Sequence, residues 1–249
     1  MKFNILTLFP EMFTPVMGSV LGKAEEKGIL DINLINFRDY TEDKHRRVDD
    51  TPFGGGAGMV LQVQPIMSAI EANSLQGKFI YMSPRGEILN EDKAREIASL
   101  PEISILCGHY EGIDQRVLDE LEAEEISVGD YILTGGEIPA MLLIDCVARF
   151  VDGVLASSVS AEDESIYSGL LEYSQYTKPR EVIGRPVPDI LTSGNHELIE
   201  LYRFEESLRL TRERRPDLFK KYLESNKEFT KKEQIIIDQL LGKNNETTK

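Results

Sequence analysis

The chain has no tryptophan, only two cysteines and only three histidines in 249 residues. Cys107 and Cys146 are too few for a disulfide framework, and each lies in an apolar run, the setting of a reduced core residue. His45, His109 and His196 are far apart, and no Cys/His cluster has zinc spacing. No apolar run approaches the ~20 residues that span a bilayer, so no transmembrane helix and no membrane partner are expected. The apolar start is broken by Asn4, Thr7 and Pro10, and no small-residue cleavage site follows it. A signal peptide is therefore not expected, and a cytoplasmic setting is. The dinucleotide pattern G-x-G-x-x-G, the P-loop G-x-x-x-x-G-K-[ST] and the nucleophile elbow G-x-S-x-G are also missing, which argues against a standard dinucleotide, ATP or serine-hydrolase site.

Basic residues are in deficit overall, 28 against 43 acidic, for a net charge of −15. Taken alone, that balance argues against nucleic acid. The basic residues are unevenly spread, however. Arg203, Arg209, Arg212, Arg214, Arg215, Lys220, Lys221, Lys231 and Lys232 fall in one late stretch, and Lys44, Arg46 and Arg47 form a smaller group. A local field can differ in sign from the whole.

What is present alternates. Residues 3–9 read as a strand, Pro10 opens a helix over 11–27, and 32–37 read as a second strand. Residues 41–58 form a polar, glycine-rich loop, and Pro65 begins a short helix. Residues 79–82 form a strand that ends at Ser83-Pro84-Arg85-Gly86, and Asn90 caps a helix to about Leu100. Residues 103–107 read as a strand, 113–121 as a helix, 131–133 as a short strand, and 139–151 as a helix apolar on most sides. This is the pattern of a parallel α/β sheet. It stops near residue 155. Residues 158–171 read as a small-residue, acidic linker or lid, and 172–249 as a helical domain whose caps include Asn195 and the Thr230/Glu233 box.

Glycines mark the candidate chemistry. Gly108 and Gly112 follow one strand, and Gly129, Gly135 and Gly136 bracket the next apolar segment. Each alone is either a tight connection or a wall of a pocket; with the strand end at Ser83-Pro84, three such ends suggest a pocket. None supplies a lysine, so the matching ligand is read by backbone groups and apolar contacts, as an adenosine would be. Gly54-Gly55-Gly56-Ala57-Gly58 is either a phosphate- or base-binding loop or a surface turn. Arg149, on the apolar helix, either snorkels to solvent or faces an anionic group. Glu162-Asp163-Glu164 is either a solvated patch or a mobile carboxylate general base.

Five ordered segments carry a resemblance to a known family: Val48-Asp49-Asp50-x-Pro52-Phe53-Gly54-Gly55-Gly56-x-Gly58-Met59; Cys107-Gly108-His109-Tyr110-Glu111-Gly112-Ile113-Asp114; residues 127–141 from Ser127 to Met141; Tyr176-Thr177-Lys178-Pro179; and Leu191-x-Ser193-Gly194-Asn195-His196. Together they resemble the bacterial tRNA (guanine-N1)-methyltransferases of the SPOUT class. The resemblance implies a parallel-sheet domain over 1–157 with a deep trefoil knot, an all-α C-terminal tRNA-binding domain, and a homodimer with its active site at the subunit interface. It implies S-adenosylmethionine as methyl donor, held by Met82, Ser83, Pro84, Gly108, His109, Tyr110, Glu111, Val128, Gly129, Asp130, Tyr131, Ile132, Leu133, Gly135, Gly136 and Pro139. The substrate would be the guanosine immediately 3′ of the anticodon. Asp50, Gly54, Gly55, Gly56, Gly58, Met59, His196, Arg203 and Arg209 would contact tRNA.

The implied chemistry assigns roles to three further residues. A carboxylate removes the N1 proton of guanine, and Arg149 stabilises charge building toward O6. The family places an aspartate just before a serine in the linker, where this chain has Glu164 before Ser165, with Asp163 as its neighbour. Glu164 is therefore the preferred base and Asp163 the second choice. Lys178 and His109 also stand where the family more often has arginine. No carboxylate cluster is specific enough to predict a Mg²⁺ site. Competing readings are a non-catalytic RNA-binding relative and an enzyme of the same class that methylates another RNA atom.

Overall fold

The computed structural model describes residues 1–155, 168–225 and 227–242. The chain divides into two compact units, Met1–Ala156 and Ser157–Lys249. In the first unit, β1 (Lys2–Thr7) leads into a 3-10 turn at Pro10–Phe13, then α1 (Thr14–Met17) and α2 (Val20–Glu26). The sequence pattern predicts one helix here. Ser19 instead adopts extended backbone and its Oγ accepts from Leu21 N, which starts a second helix.

There follow β2 (Asp31–Asn36), β3 (Asp49–Asp50), β4 (Val60–Leu61), α3 (Val63–Ala72), β5 (Lys78–Ile88), α4 (Glu91–Ala98), β6 (Glu102–Leu106), α5 (Gln115–Glu120), β7 (Glu124–Ser127) and α6 (Glu137–Ala148). Asn90 caps α4 through Lys93 N, as the sequence predicts. Two predicted strands move. The segment expected at 131–133 has no strand pairing, and the strand lies earlier, at β7. The segment expected to end at Met82 runs on to Ile88. Met82 and Glu87 both pair with Ile126, so residues 83–86 bulge out between them. A Cβ at Gly86 would meet the backbone of Glu125 and Ile126, which is why the bulge can close only over a glycine.

The sheet has the order β2-β1-β6-β5-β7, and every pair is parallel. Helices cover both faces, so the central strands are apolar on both. Phe3, Ile5, Ile103 and Ile105 pack on one side with Ile97, Leu143 and Val147; Leu6 and Leu106 pack on the other with Ile66, Ile70 and Val117. Each such side chain, fully buried, stabilises by roughly 1.5–3 kcal/mol. A parallel arrangement also brings the C-terminal ends of β5, β6 and β7 to one edge, where ligands of open α/β sheets sit.

The second unit contains α7 (His196–Arg214), α8 (Pro216–Glu224) and α9 (Lys231–Leu240) around Leu170, Leu208, Phe219, Tyr222 and Ile237. Asn195 caps α7, and Thr230 and Glu233 form the predicted box. The expectation of helices alone needs correction. β8 (Glu181–Val182) pairs with β9 (Arg185–Pro186) around Ile183-Gly184. Both turn residues have positive φ, the geometry of a two-residue hairpin, which a β-branched residue at the first position conceals in the sequence.

One charged cluster ties β5, α4 and β7 together. Lys93 Nζ lies 2.8 Å from both Glu96 Oε2 and Glu124 Oε1, and Lys78 reaches the same two carboxylates. Lys93, then Lys78, hold Glu96 at about 2, below its ordinary 4.5. Burial raises Glu124, but Lys78 and Lys93 outweigh it and its pKa is lowered. Carboxylates with depressed folded-state values stabilise above their unfolded pKa and lose that contribution as pH falls through the folded one. Glu124→Gln should therefore lower the melting midpoint at neutral pH, and the gap to wild type should close on acidification from neutral pH to below the ordinary carboxylate value of 4.5, because the pKa of Glu124 is lowered from it. Thermal melts across that range check this; a gap independent of pH would contradict it.

Candidate active site

A cavity opens at the C-terminal edge of the sheet. Its walls come from the bulge of β5, the turn after β6, and the segment from the end of β7 to the start of α6. Every residue expected to hold the cofactor lies on these walls except Asp130, which is exposed beside them. Tyr81, Gly112, Ile126, Ser127 and Thr134 also line the cavity, outside the cofactor-holding set that the resemblance implies. Tyr81 falls in the continuous apolar run Phe79-Ile80-Tyr81-Met82, which makes it look like plain core.

The walls are held by close backbone approach. Gly136 N donates to Gly108 O at 2.8 Å, and His109 and Gly135 form an antiparallel bridge. A Cβ at Gly136 would lie 2.7 Å from Cys107 Cα and 2.8 Å from Gly108 N. Those are backbone atoms, which cannot swing aside as a side chain could. A Cβ at Gly108 would lie 2.8 Å from the Tyr81 hydroxyl. That hydroxyl is buried and hydrogen-bonds the Ile113 backbone; burial, the larger effect, raises its pKa. Tyr110, at φ 58°, and Tyr131 stand half exposed at the rim. A non-glycine residue at positive φ is strained and is often found at a functional site.

Beneath the walls lies Glu137, 1% exposed. Thr7 Oγ1 donates to its Oε1 at 2.7 Å, and His109 Nε2 lies 2.7 Å from its Oε2. Burial, and after it this carboxylate, push the Cys107 thiol well up. Cys107 is thus an inert core group. One cue to Glu137 is its place in the first turn of an apolar helix.

The loop at 51–58 is tied to the same rim. Met59 O accepts from Glu111 N at 2.9 Å, Leu61 N donates to Gly112 O at 2.9 Å, and Gly58 packs against the Glu111 side chain. Asp50 and Gly54 to Gly56 lie on the exposed part, and Phe53 is fully exposed. Arg149 is not brought to the cavity within one chain. It caps the far end of α6, about 18 Å from Glu137 at 1.5 Å per residue. Asp163 and Glu164 lie outside the described residues. In the second unit, His196 and Arg203 line a separate groove with Tyr176, Lys178 and Arg180, whereas Arg209 faces Glu206 and Glu213. Several of the late basic residues are ion-paired: half-buried Arg203 with Glu200, and the exposed Arg215 with Asp217, Lys220 with Glu224 and Lys232 with Glu197. Among the described residues, no group of three or more His, Cys, Asp or Glu is placed to hold a metal, and no helix is long and apolar enough to cross a membrane.

The packing at Gly136 makes a prediction. Gly136→Ala should force the two turns apart, cost roughly 1–3 kcal/mol as overpacking does, and abolish ligand uptake by the cavity; an unchanged melting midpoint would contradict it. Comparison with known proteins agrees with the geometry. The profile described as tRNA (Guanine-1)-methyltransferase TrmD matches residues 1–221. A tRNA (guanine-N(1)-)-methyltransferase of Ruminiclostridium cellulolyticum is 52% identical, covering 91% of this chain and 99% of its own length. Those of Alkaliphilus oremlandii and Lactobacillus helveticus are 51% and 49% identical, covering 98% and 96% of this chain and 100% and 98% of their own lengths. The chain therefore belongs to the tRNA (guanine-1)-methyltransferase family.

Proposed function

We propose that this chain is a cytoplasmic enzyme that methylates N1 of a guanosine in tRNA, the nucleotide immediately 3′ of the anticodon. The observation that carries this reading is the cavity walled by three strand ends, in a chain whose relatives bear the name tRNA (guanine-N(1)-)-methyltransferase. Bound there, S-adenosylmethionine supplies a methyl group on a sulfonium as the electrophile. The walls suit it. Among the described residues they carry no lysine or arginine to repel a cation, and they include Glu111. Met82, Pro84, Ile132, Leu133 and Pro139 offer apolar surface to a flat base, and the backbone at 108–111 and 128–133 offers donors and acceptors to its edge. We read the return of the chain from β7 to the end of β6, two strands away, as the crossing of a trefoil knot.

The chain's own residues then divide the proton chemistry. Guanine N1 is a poor nucleophile until its proton leaves, and Glu164, or Asp163 beside it, takes that proton. Arg149 stabilises the charge that builds toward O6. Its distance from the cavity in one chain is resolved by a second copy. Ile138, Leu142, Asp145 and Arg149 follow one another at helical spacing. Ile138 and Leu142 are 43% and 47% exposed, unusual for apolar residues in a core helix. Two copies related by a two-fold axis would lay α6 antiparallel on α6, setting each Arg149 beside the other copy's cavity. His196, Arg203 and Arg209 contact tRNA from the helical unit, and Asp50, Gly54 to Gly56, Gly58 and Met59 contact it from the loop at the rim.

Transfer of label from S-adenosylmethionine to an unmodified tRNA transcript, with the nucleoside identified by mass spectrometry, tests the activity; absence of 1-methylguanosine refutes it. Arg149→Ala should abolish turnover while cofactor binding survives. Glu164→Gln should be more damaging than Asp163→Asn, and the reverse order moves the base by one residue. Mixing Arg149→Ala with Gly136→Val subunits should restore about a quarter of wild-type activity, because half the dimers are mixed and each carries one intact site. No restoration would mean that each site is built from one chain.

A further inference from the structure

Glu137 takes no part in the proton chemistry above, yet three segments of the first unit converge on it. Thr7 ends β1, His109 lies in the turn after β6, and Glu137 opens α6. Thr7 is fully buried, and its Oγ1 accepts from Phe9 N at 2.9 Å while donating to Glu137 Oε1 at 2.7 Å. The His109 Nε2 proton goes to Oε2, also at 2.7 Å. A carboxylate this deep is tolerated only when each oxygen has a donor, and its place at a helix N-terminus adds favourable potential.

The arrangement bears directly on the cavity. His109, Gly135 and Gly136 are all wall residues. A side chain at Gly135 would run into the His109 ring and lie 2.7 Å from Glu137 Oε2, so the pair occupies the place a side chain would take. The ring itself is 16% exposed and packs edge-on to Phe9, with centroids 4.8 Å apart. Committing Nε2–H to the carboxylate also selects a tautomer: in the neutral ring, Nδ1 is left as an acceptor.

We propose that Glu137 is a positioning residue for methyl transfer. Through His109 and Thr7 it fixes the imidazole and holds the 108–112 turn against the 134–136 turn at the spacing the methyl donor requires. Removing the charge while keeping the shape would free the ring and loosen both turns. The proposal rests on reading the cavity as the S-adenosylmethionine site.

The test measures S-adenosylmethionine binding by calorimetry, kcat and KM for tRNA, the ring ¹⁵N shifts of His109, and thermal melting. Glu137→Gln should weaken cofactor binding about tenfold or more, as small misplacements at a reacting site do, while the tRNA KM stays within about threefold. The His109 shifts should change from those of a ring with a fixed Nε2 proton. In a His109→Ala background, the same substitution should cost less than about threefold, the mark of two residues acting as one. Thr7→Val should show the same signature more weakly, and it carries the test if Glu137→Gln does not fold. The proposal is overturned if Glu137→Gln lowers the melting midpoint but binds cofactor like wild type, or if its effect and that of His109→Ala simply add. Wild-type protein that does not bind S-adenosylmethionine would instead overturn the reading of the cavity.

Discussion

The start of α6 lies directly on the end of β6, backbone against backbone. With 2.7 Å between Cys107 Cα and the place of a Cβ on Gly136, no residue larger than glycine fits without moving main chain. That approach brings Gly108 O within reach of Gly136 N, sets His109 opposite Gly135, and seats Glu137 where Thr7 and His109 can satisfy it. The other walls follow from the parallel sheet. Because β5, β6 and β7 run the same way, their C-terminal ends are neighbours, and the bulge at 83–86 adds the remaining wall.

Much of this was legible in the sequence, because it depended on local rules. Alternating strands and helices announced the parallel sheet, and Asn90, Asn195 and Thr230/Glu233 marked helix starts at the positions they occupy. The glycines at 108, 135 and 136 pointed to a pocket. Less legible was anything decided by partners distant in sequence. The extension of β5 to Ile88 depends on β7, some forty residues later, because only the repeated pairing with Ile126 shows that the chain leaves the sheet and returns. The apolar run at 131–133 resembled a strand, but among the described residues it pairs with none. Glu137 had only its place in a first helical turn to mark it, because its two donors lie 130 and 28 residues away.

The net charge of −15 and the proposed RNA substrate are less opposed than they first look, though not because the helical unit is uniformly basic. Several of its basic residues, Arg203, Arg209, Arg215, Lys220 and Lys232 among them, have an acidic neighbour within salt-bridge distance. Such exposed pairs are weak, of the order of 0–1 kcal/mol. A phosphate that arrives beside one can therefore exchange partners with little loss. The groove lined by Tyr176, Lys178, Arg180 and His196 combines cationic and aromatic groups, the combination that holds single-stranded nucleotides.

The lack of tryptophan acquires a use once the cavity is known. Three of the nine tyrosines, Tyr81, Tyr110 and Tyr131, stand on its walls. With no indole to absorb their emission by energy transfer, the ultraviolet fluorescence of the native protein comes from tyrosine phenols, and three of the nine line one cavity. The molecule thus carries an intrinsic optical gauge of its own occupancy, readable without a label.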